Sequence, residues 1–173
     1  MSDIVFLDRD GLINRKAPPH EYITQAEAFH LLPGVAWAIR RLNEAGYLVI
    51  VVTNQRGVAR GKMRLVDVED VHRHMEALLR KENAHVDDIF VCPHNTGECQ
   101  CRKPDTGLFL QAKSRYSVNE ARSWMVGDSP SDAEFGHRCG LHTIQTESLA
   151  QAVDTILSCD AAWQQTMMEE YVK

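Results

Sequence analysis

Four short stretches of this chain carry residues whose types and spacing suit one kind of chemistry: FLDRDG at 6–11, VVTNQ at 51–55, RKP at 102–104 and VGDSPSD at 126–132. Asp8, Asp10 and Asp128 offer carboxylates, and Gly11 allows a sharp turn directly after the first two. An oxygen-rich, negative nest of this kind suits Mg²⁺, which takes one or two carboxylates together with waters and substrate phosphate oxygens. Thr53 adds a hydroxyl and Lys103 a positive charge. A carboxylate that can attack, a second that can move a proton, and cations that neutralise the transferring group are the parts of phosphoryl transfer. Taken singly, each residue is ordinary. An aspartate at a strand end is commonly a turn former or helix cap, and a lysine is commonly solvated.

A second constellation overlaps the first. In CPHNTGECQCRKP, Cys92, His94, Cys99 and Cys101 follow the spacing C-x-H-x4-C-x-C. Three thiols and an imidazole complete a tetrahedral Zn²⁺ shell and leave no open position, so the site reads as structural. A loop this irregular has little core of its own. Closing it around zinc supplies folding free energy of about 10 kcal/mol. The expected result is a rigid loop that carries Arg102 and Lys103 in fixed geometry.

These residues need elements to hold them. DIVFL (3–7), YLVIVVT (47–53), DDIFVC (87–92), SWMVGD (123–128) and HTIQT (142–146) read as five strands. The continuous β-branched run in the second indicates a strand buried on both faces, as in a parallel sheet. Helical spacing places Val35, Ala38, Ile39 and Leu42 on one face of a helix closed by Gly46. Further helices are expected over 65–82, 106–116, after 129, and over 148–158, and a helix is one reading of the tail from 160. Strands alternating with helices predict an α/β fold: three layers, Rossmann-like, around a mostly parallel central sheet. In such sheets ligands bind beyond the carboxyl ends of the strands, and all four reactive stretches fall at those ends. The irregular stretch 11–33 exceeds ordinary loop length and is expected to be a lid or binding loop.

The four stretches, in order, resemble the motifs of the haloacid dehalogenase-like phosphatases over about residues 4–146. That resemblance implies an aspartyl-phosphate mechanism. Asp8 is then the nucleophile and Asp10 the general acid/base, while Thr53 and Lys103 bind the transferring phosphoryl group. Mg²⁺ is then held by Asp8, the backbone carbonyl of Asp10, and Asp128, with Asp132 in support. The CPH…CxCRKP arrangement resembles a subgroup without large cap domains, which holds heptose 1,7-bisphosphate 7-phosphatases and histidinol-phosphate phosphatases. VVTNQRGVARGKM is similar to the heptose enzymes, and by that likeness Asn54 and Arg102 contact the substrate. Ser129 departs from the pattern, standing where those enzymes often carry lysine.

Composition narrows the alternatives. The chain has 173 residues, fitting one domain over 1–173, with a net charge of −5. No basic stripe supports a zinc-dependent nucleic-acid-binding module, and there is no Walker-type phosphate loop. Apolar runs are too short to span a bilayer, and MSDIVFLDRDG does not read as a signal peptide. Five cysteines, three of them clustered, argue against a disulfide framework and for a cytoplasmic metal site. Arg56, Arg60 and Lys62 favour an anionic substrate, so the chain is expected to act, as a monomer, on a small phosphorylated metabolite, a sugar bisphosphate. His72 and His74 are expected to be solvated, and Trp37, Trp124 and Trp163 to pack in the core.

Overall fold

The computed structural model describes residues 1–171. Five parallel strands form one sheet: β1 (Ile4–Leu7), β2 (Leu48–Asn54), β3 (Asp88–Cys92), β4 (Trp124–Gly127) and β5 (His142–Gln145), in the order β3-β2-β1-β4-β5. Five helices connect and cover them: α1 (Val35–Glu44), α2 (Leu65–Lys81), α3 (Gly107–Arg115), α4 (Pro130–Arg138) and α5 (Leu149–Tyr171).

Side-chain alternation along the strands builds two cores. Val5, Leu7, Val49, Val51 and Val126 point to one face and pack against α1, α2 and α5. Ile4, Phe6, Ile50, Val52 and Met125 point to the other and pack against α3 and α4. The result is the three-layer α/β arrangement expected from the strand and helix pattern. Both faces of β1 and β2 are buried, which accounts for their unbroken apolar runs.

The chain leaves β1 toward β2 on one side and later returns to β4 on the other. The order therefore switches between β1 and β4, where a crevice opens beyond the strand ends. The Asp8 N–H continues the β1–β4 ladder to the Val126 carbonyl at 2.9 Å, so Asp8 leaves the sheet at that switch.

One expectation changes, that for Trp37, and two gain detail. The tail is helical, because α5 runs through to Tyr171 with Ala152, Val153 and Ile156 on the core. Trp37 is not a core residue. It lies on the outer side of α1, 46% exposed, with the Arg41 guanidinium 4.5 Å from its ring centre. Trp124 and Trp163 do pack, their ring centres 6.0 Å apart. The stretch 11–33 is irregular apart from a 3₁₀ turn at Ala26–Ala28. It is pinned down by Leu12, Ile13, Ile23 and Phe29, all buried in the core.

Candidate active site

Lys103 lies at the centre of the crevice. Its side chain is buried, and its Nζ donates to Asp8 Oδ1 at 2.7 Å and to Asp132 Oδ1 at 2.6 Å. Burial works against the ammonium charge, but the two carboxylates outweigh it and hold the Lys103 pKa above its ordinary value. Asp8 is pushed up to about 6. Burial is the main cause, Lys103 opposes it, and the negative charge of Asp132 adds to it.

Asp132 is placed by α4. Ser129 is the N-cap, and Asp132 Oδ2 accepts from the Ser129 N–H at 3.1 Å and its hydroxyl at 2.5 Å. Gly127 allows this closeness, because a Cβ there would lie 2.4 Å from that of Asp132. Asp128 follows β4. Its Oδ2 pairs with Lys16, which reaches in from the long early loop, and its Oδ1 is buried with no hydrogen-bond partner. Gly11, at φ +96°, leaves room for that pair, since a Cβ there would lie 2.6 Å from Asp128 Oδ2.

Asp8, Asp128 and Asp132 each offer a carboxylate oxygen within 4.8 Å of the others. The nest therefore contains Asp132, which the resemblance gave a supporting place, and not the Asp10 carboxylate that the residue types alone suggested. An orphaned carboxylate oxygen beside two further carboxylates fits a divalent cation. The Asp10 carboxylate is held elsewhere. Its Oδ1 accepts from Arg9 Nη2 at 2.9 Å and Asn14 Nδ2 at 2.9 Å, and its Oδ2 accepts from Gln55 Nε2 at 2.9 Å. Burial raises its pKa, but the Arg9 charge and these donors outweigh burial and lower it.

Asp8, Asp10, Asn54, Arg102, Lys103 and Asp128 all line one crevice of about 270 Å³. Thr53 is buried at the end of β2, and its Oγ accepts from Gln55 Nε2 at 2.8 Å. The Asn54 amide binds the Lys103 backbone on both sides, accepting from its N–H at 3.0 Å and donating to its carbonyl at 3.1 Å. Arg102 Nη1 is buried and unpartnered.

The cysteine loop runs out of β3 and leads into these two cations. Cys92 and Cys99 sulfurs are 3.5 Å apart, Cys99 and Cys101 3.4 Å, and His94 Nδ1 lies 3.3 Å from the Cys101 sulfur. Zn–S bonds near 2.3 Å in a tetrahedron put ligand sulfurs about 3.8 Å apart, so the four atoms are clustered tightly enough for one metal ion. The cysteines are unpaired thiols.

Known proteins share this architecture. The HAD-hydrolase-like family model matches residues 100–158. D-glycero-beta-D-manno-heptose-1,7-bisphosphate 7-phosphatase of Rhodopseudomonas palustris is 40% identical over 144 residues, covering 79% of this chain and 78% of that protein. D-glycero-alpha-D-manno-heptose-1,7-bisphosphate 7-phosphatase of Mycobacterium tuberculosis is 42% identical over 135 residues, covering 77% and 70%. The chain belongs to the haloacid dehalogenase-like phosphatases. The solved D,D-heptose 1,7-bisphosphate phosphatase of B. bronchiseptica, complexed with magnesium and phosphate, is similar at a TM-score of 0.78 and 30% identity, covering 91% of this chain and 99% of that one.

In this phosphatase, motif reading missed four residues at or behind the crevice. Lys16 and Gln55 are two of them. Arg9 is 1% exposed, and its position between two aspartates was itself a sign of an ion pair. His72, expected to be solvated, is 6% exposed, with Nε2 at 3.1 Å from Arg9 Nη1. The signal for it was present: Val68, His72, Met75 and Leu79 recur at helical spacing along the buried face of α2.

Proposed function

We propose that this chain removes the 7-phosphate of a D-glycero-D-manno-heptose 1,7-bisphosphate, as a single cytoplasmic catalytic domain over 1–173. The observation that carries this reading is one crevice holding a buried, lysine-paired Asp8 beside two orphaned polar atoms, Asp128 Oδ1 and Arg102 Nη1. One suits a cation and the other a phosphate oxygen. Exposed Arg60 and Lys62, on the loop after β2, suit a second phosphate, in keeping with the bisphosphates named for the relatives.

In this reading the Asp8 carboxylate attacks phosphorus. A carboxylate O–P bond forms as the sugar ester P–O bond breaks, and the leaving oxygen takes a proton from Asp10, which must first take one up against the Arg9, Asn14 and Gln55 donors that favour its ionised form. Asp10, then ionised, takes a proton from water. The hydroxide attacks phosphorus, the Asp8 O–P bond breaks, and inorganic phosphate leaves. Lys103 offsets negative charge on the transferring group, and the Thr53 hydroxyl, whose oxygen already accepts from Gln55, retains its proton to donate. Asn54 serves substrate placement by clamping the Lys103 backbone, and Arg102 contacts the phosphate or sugar directly. Mg²⁺, held by Asp8, Asp128 and the Asp10 carbonyl, neutralises phosphate charge when bound. Zn²⁺ on Cys92, His94, Cys99 and Cys101 is structural.

The test is Mg²⁺-dependent phosphate release from both anomers of the heptose bisphosphate, fructose 1,6-bisphosphate and histidinol phosphate, with Asp8→Asn as control. Strong turnover of a heptose anomer, abolished by Asp8→Asn, is expected. Preference for histidinol phosphate would overturn the substrate assignment, and undiminished turnover by Asp8→Asn would overturn the nucleophile.

A further inference from the structure

Arg9 is among the largest fully buried side chains, and a buried guanidinium persists only where its donors are satisfied. Two parts of its fork go to Asp10: Nη2 at 2.9 Å and Nε at 3.3 Å from Oδ1. The remaining terminal nitrogen, Nη1, meets His72 Nε2 at 3.1 Å, from a helix far along the chain. Guanidinium nitrogens only donate. His72 Nε2 must therefore be the acceptor, with the ring proton on Nδ1 and the ring neutral. Burial, then the Arg9 charge, depresses the His72 pKa to about 3, in keeping with that assignment. The ring is thus a fixed acceptor and no carrier of protons.

We infer that His72 is a positioning residue for the reaction: by anchoring one arm of the Arg9 fork, it fixes the plane in which Arg9 grips the Asp10 carboxylate. The planar guanidinium cannot turn about its long axis while both ends are bound. Asn14 and Gln55 hold the other approaches to Asp10. Removing the His72 acceptor leaves Nη1 buried and unpaired, and the fork then turns toward another acceptor and releases its hold. No neighbour on the buried face of α2 replaces it, because Val68, Val71, Met75 and Leu79 are apolar. The inference rests on the proton-moving role proposed for Asp10.

The experiment compares kcat, KM and thermal midpoint for His72→Leu, which removes the acceptor, and His72→Gln, whose amide oxygen can accept. His72→Leu is expected to lower kcat about tenfold to a hundredfold with KM within about twofold, since small misplacements of a reacting group cost rate on that scale. His72→Gln is expected to restore most of the loss. In an Asp10→Asn background, His72→Leu is expected to add little, because the two changes remove one function. His72→Met serves the same comparison if the leucine variant does not fold. Unchanged kcat in the acceptor-free variant, no rescue by glutamine, or a full additive loss in the Asp10→Asn background would reduce His72 to packing and overturn the inference. Full turnover by Asp10→Asn alone would instead overturn the role of Asp10 in the mechanism, and the inference with it.

Discussion

In the proposed reaction Asp8 is asked to be both a buried carboxyl and an anion ready to attack. Burial holds its pKa up at about 6, even with Lys103 alongside. The folded protein thus keeps this proton more tightly than the unfolded chain does. The corresponding stability is whole below the ordinary carboxylate range and is lost as pH rises through about 6. Binding of Mg²⁺ works in the opposite sense, because ligation needs the ionised form. Thermal denaturation should show a Mg²⁺-induced rise at neutral pH, worth about 2.7 kcal/mol at a hundred times Kd, that fades as pH falls below about 6. Equal stabilisation at acid and neutral pH would separate Asp8 from the cation. Lys103 matters for a different reason. Lys103→Met strands Asp8 and Asp132 in a buried site and should cost about 3–5 kcal/mol by urea titration. It should also push Asp8 further up, since the opposing charge is gone.

The elements decide how these side chains are delivered. β3 ends in Cys92, and the loop that follows has few apolar residues to fold around. Its geometry depends on the thiol and imidazole cluster at one end and on the Asn54 clamp at the other. Cys99→Ser should therefore lower the zinc content proposed for this cluster, measurable by elemental analysis. It should lower kcat and raise KM together, because both Arg102 and Lys103 lose their support. A variant that loses its metal but keeps full activity would show that Asn54 suffices alone. α4 contributes in a comparable way. Its capping box points Asp132 back over Gly127 toward Lys103, so one helix start completes a charge pair with a residue from a different loop.

At the scale of the molecule, the sheet order places the residues after β1 and β4 next to one another, with the β2 and β3 loops alongside. The candidate site lies at the carboxyl edge of the sheet, and Trp37 is not among the residues that line it. Trp37 is the largest apolar side chain exposed on α1. Trp37→Ser should leave turnover unchanged and shift stability by no more than about 0.5 kcal/mol, as for other surface positions. A larger loss would mean that the Arg41 stack on that ring helps hold α1 against α5, which Arg41 also reaches through Asp154. Among the described residues no helix is long and apolar enough to cross a membrane.

Read alone, the sequence determined which residues stand at strand ends, because β-branched runs, glycine turns and helical spacing are local patterns that locate elements directly. It also determined the soft-ligand cluster, since four metal donors within ten positions need little folding to meet. Only the tertiary structure decided which partner each group takes. Asp132, and not the Asp10 side chain, joins Asp8 and Asp128, because α4 turns its first carboxylate inward while Arg9, Asn14 and Gln55 draw Asp10 away. Lys16 reaches Asp128 across 112 positions, and His72 reaches Arg9 across 63. Such pairings depend on how helices and loops pack over the sheet, and no spacing in the chain encodes them.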